Sequence, residues 1–378
     1  LAMTTNTTAS NNTALGYAAM KLNTTGTKNT AVGRTAMHAN TTGTENVAMG
    51  YLALYANTTG AKNTAVGSDA LKANTTAEGG TAIGANSMLS NTTGANNIAV
   101  GYGAMYYNTT GTRNVVIGVE AYDNSDTEND NMAIGYQAMT TNTAGGTANI
   151  AIGNYAGDAI TSGDGNTILG YYAGSSINTG GGNTIIGYQA GLDTVALTDG
   201  VNNTVVGTNA RTSGSNADRQ IVIGYNFSGN GDNKVNLGSN GGYVWNSYTS
   251  NATWTQVSDE RTKKNIEADN LGLDFINELK PVTFNWRKAD EIDPEFVKST
   301  LNIGRGEKDT KALMHGLIAQ DVKAAMDKVG NTTFNGWEEG VDGQAISREM
   351  FITPLIKAIQ ELSAQNADLL ARIETLEG

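Results

Sequence analysis

The sequence predicts a two-part fold: a mainly β N-terminal repeat wound as a parallel β-roll or β-helix, then a small α/β domain ending in a coiled-coil helix. Three observations carry this. A phrase of the form Asn-x-Ala-aliphatic-Gly recurs at near-constant spacing across residues 1–240. Beyond residue 257 the charge density rises and apolar residues fall into amphipathic patterns. From Leu355 to Leu376 the core-type positions step 4-3-4-3-4-3, the spacing of a heptad seam.

The phrase first appears as Asn12-Thr13-Ala14-Leu15-Gly16, and further copies begin at Asn29, Asn46, Asn63, Gly80, Asn97, Asn114, Asn131, Asn149, Asn166, Asn183, Asn203, Gln220 and Lys234. The step is 17 residues from 12 to 131, then 18, 17, 17, 20, 17 and 14. A fixed period of this length means stacked, near-identical units. Each unit reads as two short strands and two turns. In the copy at Asn29, Thr30 and Val32 face one way and Ala31 the other, with Ala marking a close approach to another backbone. Gly33 permits a turn at positive φ. A second apolar step comes next, as in Ala36-Met37 or Ala70-Leu71, and an Asn-Thr-Thr-Gly block closes the unit.

No unit can bury its own apolar stripe, so the units must stack through backbone hydrogen bonds. Fourteen rungs at ~4.8 Å make a rod of roughly 60–70 Å. The strands carry little large apolar bulk, so lateral association of several chains is expected to supply the missing burial. The phrase resembles the head repeats of trimeric autotransporter adhesins and the shafts of phage tail fibres. That resemblance implies three chains side by side.

Composition narrows the chemistry. Gly is 47 of 378 residues but Pro only 3, which excludes collagen and Pro-rich disorder. Zero Cys excludes disulfides and thiolate metal sites, and with only His38 and His315 a histidine metal centre is not expected; no cofactor or metal is. The net charge of −12 splits into nine basic and fourteen acidic side chains in residues 1–250, and fifteen and twenty-two in the rest. A field of that sign argues against nucleic-acid partners. No apolar run approaches the ~18–20 residues that span a bilayer, so membrane insertion is not expected. The chain begins in mid-repeat at Leu1, as a piece of a longer protein would.

Within the repeat, the Asn-Thr-Thr triplets match a glycosylation pattern but read better as solvated turns. Gly163-Asp164-Gly165 and Ser228–Asp232 faintly resemble calcium β-roll turns, yet most rungs lack the required Asp. Tyr17, Tyr51, Tyr102, Tyr136, Tyr171, Tyr188 and Tyr225 come directly after the rung glycine. They form either an aromatic stripe for carbohydrate or, the favoured reading, edge packing. No carboxylate pair recurs as a tailspike glycosidase requires.

Residues 241–257 read as a linker and the end of the shaft, with Thr253–Val257 alternating like a last strand. Downstream, Ile266–Lys280 is expected as a helix stopped by Pro281, Val282–Trp286 as a strand, and Lys288–Lys311 as a loop. His315–Val322 should run from strand into a helix through Met326. Pro354 opens a final helix, 354–377. Ile and Leu at its a and d positions with Asn366 at an a position favour two strands by the usual rule, whereas the repeat favours three.

The seam at residues 257–266 holds the candidate chemistry. Ser258 is a weak nucleophile unless a base is near, and a Lys amine serves only when desolvation or neighbouring cations lower its pKa. Arg261, Lys263 and Lys264 lie within six residues of it. Ser258-Asp259 also makes a fair helix N-terminus, so the pattern alone decides nothing. The residues Ser258-Asp259-x-Arg261-x-Lys263-Lys264-Asn265-Ile266, then Lys280–Trp286, then His315–Val322, then the helix at 355–376, resemble in order the intramolecular chaperone domain of phage tail fibres and tailspikes, the peptidase S74 family. The resemblance implies that residues 258–378 form a domain that trimerises, helps the shaft fold, and then cuts itself off. It implies Ser258 as nucleophile and Lys263 as base, with Lys264 second choice; Arg261 and Asn265 are candidate auxiliaries, and His315 either assists or, the favoured reading, packs at a strand start. The cut bond is Val257–Ser258 or Ser258–Asp259, the former preferred.

The expected function is therefore a trimeric phage tail fibre that binds a host surface receptor, a carbohydrate or outer-membrane component, and carries a self-cleaving serine endopeptidase module. It would be a virion protein. The alternative is a bacterial cell-surface adhesin or stalk with the same module.

Overall fold

The computed structural model describes residues 1–142, 145–192, 197–240, 242–247, 255–256, 264–287, 313–340 and 343–377. Two compact units, residues 1–258 and 259–378, are described separately.

In the first unit, one three-residue strand recurs per turn from β1 (Thr13–Leu15) and β2 (Thr30–Val32) onward. The series runs to β13 (Ile221–Tyr225) and β14 (Lys234–Ser239), every neighbour parallel and in register, so this is a parallel β-solenoid. Register pairs like with like, as in Thr13 with Thr30 and Ala14 with Ala31. The alternation places Ala31 and its copies wholly inside, with Thr30 and Val32 partly exposed. The close approach falls two residues later, at the glycine. Gly67 has φ +138°, and a Cβ there would overlap the Gly84 carbonyl of the next rung.

The second apolar step is not a strand. Thr35 and Met37 take φ of 54° and 50°. Ala36 and Met37 are both fully buried, whereas a strand would send them to opposite faces. This double turn folds two side chains inward against Ala31, and the three together make the narrow core. Where the strand position enlarges to Ile168 or Ile185, the facing position shrinks to Gly157, Gly174 or Gly191, at each of which a Cβ would press on isoleucine methyls.

The Asn-Thr-Thr triplets correct a second expectation. Asn23, Asn40, Asn57, Asn74, Asn91 and Asn108 are buried rather than solvated. From Asn40 to Asn108, each Nδ2 donates to the Oδ1 one rung earlier, as in Asn57 to Asn40 at 2.8 Å and Asn74 to Asn57 at 2.8 Å. A second ladder begins at Asn12. Asn29 N–H donates to Asn12 Oδ1 at 2.9 Å, and Asn29 Nδ2 to the Gly43 carbonyl at 2.8 Å. That pattern continues to Gln220, with a gap at Gly80, which has no side-chain amide to pass on. Amides suit this task because each carries both donor and acceptor, so a column of them is satisfied by its own copies.

The first ladder stops where the sequence breaks it. Ser125 stands in the next ladder position and Ile160 in a later one, which leaves Asn108 Oδ1 and Asn142 Oδ1 without partners. Tyr122 fills the space beside Ser125, and its hydroxyl accepts from Asn131 Nδ2 at 2.6 Å and Asn142 Nδ2 at 3.1 Å. Burial pushes that phenol far above its ordinary range, with nearby Glu128 adding to it.

The sheet ends by reversing direction: β15 (Gly242–Ser247) pairs antiparallel with β14, and β16 (Thr255–Gln256) antiparallel with β15. Phe227 packs against Tyr243, ring centroids 5.7 Å apart, at this end.

The second unit has α1 (Leu273–Glu278), β17 (Val282–Phe284), β18 (Met314–Gly316), α2 (Ala319–Lys328), β19 (Trp337–Gly340), β20 (Gly343–Ile346) and α3 (Ile352–Glu377). Its core joins Leu271, Phe275, Val322, Ala325, Met326, Phe334 and Phe351. The expected helix from Ile266 is shorter than read. Asn265 has φ +53° and residues 264–270 are largely exposed, so no apolar face exists before Leu271 to hold a helix against the core. Pro354 lies in the first turn of α3 and is buried, as its position predicts.

Candidate functional site

Val257, Ser258, Asp259, Arg261 and Lys263 lie outside the described residues. The block enters the described part at Lys264-Asn265-Ile266, where all three side chains are exposed. Asn265 takes a left-handed backbone that Asn tolerates better than most residues. The geometry of the site is therefore that of the elements immediately downstream.

The helix after the block is pinned by the long C-terminal helix. α1 begins at Gly272 with no side-chain cap of its own. Glu361 of α3 supplies the missing acceptor, its carboxylate taking the Leu273 N–H at 2.7 Å. A carboxylate at a helix N-terminus also meets the positive end of the helix dipole. A Cβ at Gly272 would overlap that carboxylate, so a larger residue there would have to push the Glu361 side chain away from the Leu273 N–H. Phe275 then packs edge-on to Phe334 at 5.2 Å, and Phe334 edge-on to Phe351 at 5.0 Å. Neither Gly272 nor Glu361 is visible as a pair in the sequence, 89 residues apart; an uncapped helix start was the only signal.

His315 sits in the middle of β18, opposite Thr283 of β17, with its side chain exposed. It lines a mostly apolar cavity of about 410 Å³ with Ile276, Leu279, Leu317, Phe351 and Leu355. Arg348 shares that cavity and was not singled out from sequence, where an Arg in a polar turn carries no mark. Surface ion pairs join α1 and the segment after it to α2: Lys328 to Glu278 at 2.6 Å and Lys280 to Asp321 at 3.1 Å. Exposed pairs of this kind contribute little. Among the described residues no group of three His, Asp or Glu is placed to hold a metal ion, and no helix is long and apolar enough to cross a membrane.

Residues 258–331 fit the family described as chaperone of endosialidase, peptidase S74, and the match begins at Ser258 itself. No curated protein and no solved structure matches the chain. The matched segment contains α1, β17, β18 and α2, the elements around the Phe275 core. Residues 258–331 thus match the peptidase S74 family, chaperone of endosialidase, and follow a parallel β-solenoid in the chain.

Proposed function

We propose that the chain is the shaft of a trimeric tail fibre that attaches a phage to a host surface, folded by its C-terminal module and then released from it by autoproteolysis beside Ser258. The observation that carries the reading is the family match starting at Ser258, directly after the last strand of the solenoid unit.

The solenoid's outward strand face supports lateral association. From β1 to β13 the two outward positions of every strand triplet are Thr, Val, Ile, Leu or Met, and none is charged. Leu15, Met49, Ile83, Ile117, Leu169 and Ile223 on this face are each more than two-fifths exposed. A strip of this width along thirteen rungs presents on the order of 500 Å² of apolar surface, large for a monomer's exposed patch. Parallel sheets bury both faces in general, and here other copies would do the covering. The exposed seam of α3, with Leu355, Ile359, Leu362, Leu369, Ile373 and Leu376, supports the same assembly downstream.

The chemistry proposed for the seam is acyl transfer followed by hydrolysis. Lys263 accepts the Ser258 hydroxyl proton as Oγ attacks the Val257 carbonyl carbon. The C–N bond breaks, its nitrogen takes the proton, and an ester joins Val257 to Ser258 Oγ. Water then hydrolyses the ester, leaving a Val257 carboxylate and a free Ser258 hydroxyl and amine. The test is the mass of the purified product. Wild type should give two fragments divided beside Ser258, while Ser258→Ala and Lys263→Ala should each give one 39.4 kDa chain. An uncut wild type, indistinguishable from Ser258→Ala, sinks the proposal.

A further inference from the structure

Five tyrosines crowd four successive rungs of the solenoid. Tyr136, Tyr171 and Tyr188 each come directly after a rung glycine, and Tyr155 and Tyr172 occupy the next position along. Tyr155 and Tyr172 stack with centroids 4.5 Å apart and planes 12° from parallel; Tyr171 and Tyr188 stack at 5.5 Å and 14°. Edge contacts of 5.3 Å between Tyr136 and Tyr155, and 4.7 Å between Tyr171 and Tyr172, tie the two columns together. Tyr136, Tyr171 and Tyr188 remain 40%, 42% and 49% exposed. Elsewhere the same two columns hold Arg34, Thr35, Ser68, Asp69 and Ala85, with tyrosines only singly. Stacking between rungs needs only an exposed column; a continuous ring surface needs the second column, and that exists here alone.

The column does not end with the rings. Beyond Tyr172 it continues as Gln189, Asn209 and Asn226, all with the same left-handed backbone, φ 52°, 53° and 48°. Rung-to-rung hydrogen bonds hold the two parts as one surface: Gln189 N–H donates to the Tyr171 carbonyl and Asn209 N–H to the Tyr188 carbonyl, both at 2.9 Å. These three amides, with Leu192 and Arg211, line a groove of about 420 Å³. The groove opens where the repeat lengthens from 17 to 20 residues, between Asn183 and Asn203.

The geometry points to a binding site for a neutral oligosaccharide, laid along this face with pyranose rings on the tyrosines and hydroxyls in the amide groove. Aromatic faces are negative at their centres and attract the polarised C–H groups of a sugar ring. Asn and Gln each offer a donor and an acceptor, which is what vicinal hydroxyls pair with; Arg211, whose Nε donates to Ser228 Oγ at 2.9 Å, borders them. The site lacks a carboxylate pair, so it binds sugar without cleaving it. The uncharged strand face proposed above to cover itself with other copies is a different column, made of the strand triplets that precede each rung glycine. The inference rests on the proposed attachment role and assigns it a place and a ligand class.

The test uses the full chain as purified, applied to a printed array of defined bacterial and eukaryotic oligosaccharides, with the strongest ligand then titrated calorimetrically. Wild type should bind a neutral pyranose oligosaccharide. Tyr155→Ala/Tyr172→Ala and Asn209→Ala/Arg211→Ala should each weaken it at least about tenfold. Tyr155→Phe/Tyr172→Phe should retain most binding because the stacking surface stays. Tyr17→Ala and Tyr102→Ala, in the same column but away from the patch, should bind as wild type. Circular dichroism checks that each variant folds. Binding to no oligosaccharide, or equal binding by all variants, overturns the inference. So does a patch variant whose only change is a smaller assembly by light scattering, which assigns the tyrosines to packing between copies. Cleavage beside Ser258 is read separately by mass, so either proposal can fail without the other.

Discussion

Replacing Asn57 by Ala removes one rung from the buried amide ladder, and its cost can be worked out from three contacts. Asn57 Nδ2 donates to Asn40 Oδ1 at 2.8 Å and to the Gly60 carbonyl at 3.0 Å, while its Oδ1 accepts from Asn74 Nδ2 at 2.8 Å. After substitution the Gly60 carbonyl keeps a bond from Asn46 Nδ2 at 2.8 Å, and Asn74 Nδ2 keeps a long one to the Ala77 carbonyl at 3.4 Å. Asn40 Oδ1 is left with nothing. An orphaned buried acceptor costs about 1–3 kcal/mol and each of the two further lost bonds about 0.5–1 kcal/mol, so the expected loss is about 2–5 kcal/mol. Asn57→Asp keeps the shape but sets a carboxylate against two acceptor oxygens, and should be at least as damaging at neutral pH. A solenoid opens locally, so hydrogen exchange is the suitable assay. Amides of the rungs flanking Asn57 should lose about thirtyfold to several thousandfold in protection, with distant rungs unaffected. A loss under about 0.5 kcal/mol, or one spread evenly along the stack, would refute the reasoning, because the ladder would then be carrying no local load.

Two further substitutions test other parts of the solenoid. Gly67→Ala combines a φ of +138° with overlap on the Gly84 carbonyl, and should destabilise by roughly 3 kcal/mol or more in denaturant unfolding; a change below about 1 kcal/mol would show that the rungs can part to admit a methyl. Asp158 is half-buried with Oδ1 unpartnered, and burial pushes its carboxyl from 3.8 up to about 6. Because the folded pKa is raised, its favourable contribution is complete below about pH 4 and is lost as pH rises through about 6. Asp158→Asn should therefore match wild type at pH 4 and be more stable at pH 8, by about 1 kcal/mol once solvent screening reduces the larger figure the shift implies. Thermal scans at the two pH values check this, and equal pH dependence in both proteins would count against it.

The parts of the fold that sequence reveals are those the repeat writes many times. The 17-residue period, the parallel stacking and the inward Ala of Thr30-Ala31-Val32 were all legible, because a strand's alternation needs only three residues to show. The second apolar step was misread for the same reason. Ala36-Met37 looks like a strand fragment, and only the left-handed φ at Thr35 and Met37 brings both side chains inside. In the second unit, β17, β18, α2 and the start of α3 stand where the pattern put them, while α1 lost its first half for want of an apolar face before Leu271. The resemblance to the peptidase S74 family was legible through the order of sequence blocks, and the family match over residues 258–331 bears it out; the roles given to Ser258 and Lys263 fall outside the described residues.

By itself, then, the sequence determined the repeat, its stacking direction and the family that the segment after it resembles, since period and motif order are one-dimensional properties. Only the tertiary structure decided which polar residues are inside. An Asn paired to its own copy one rung away has the same sequence signature as an Asn in a solvated turn, and burial alone separates them. The tertiary structure also gathered Tyr155 and Tyr172 with Gln189, Asn209 and Asn226 into one face, because neighbours across rungs are 17 to 20 residues apart along the chain.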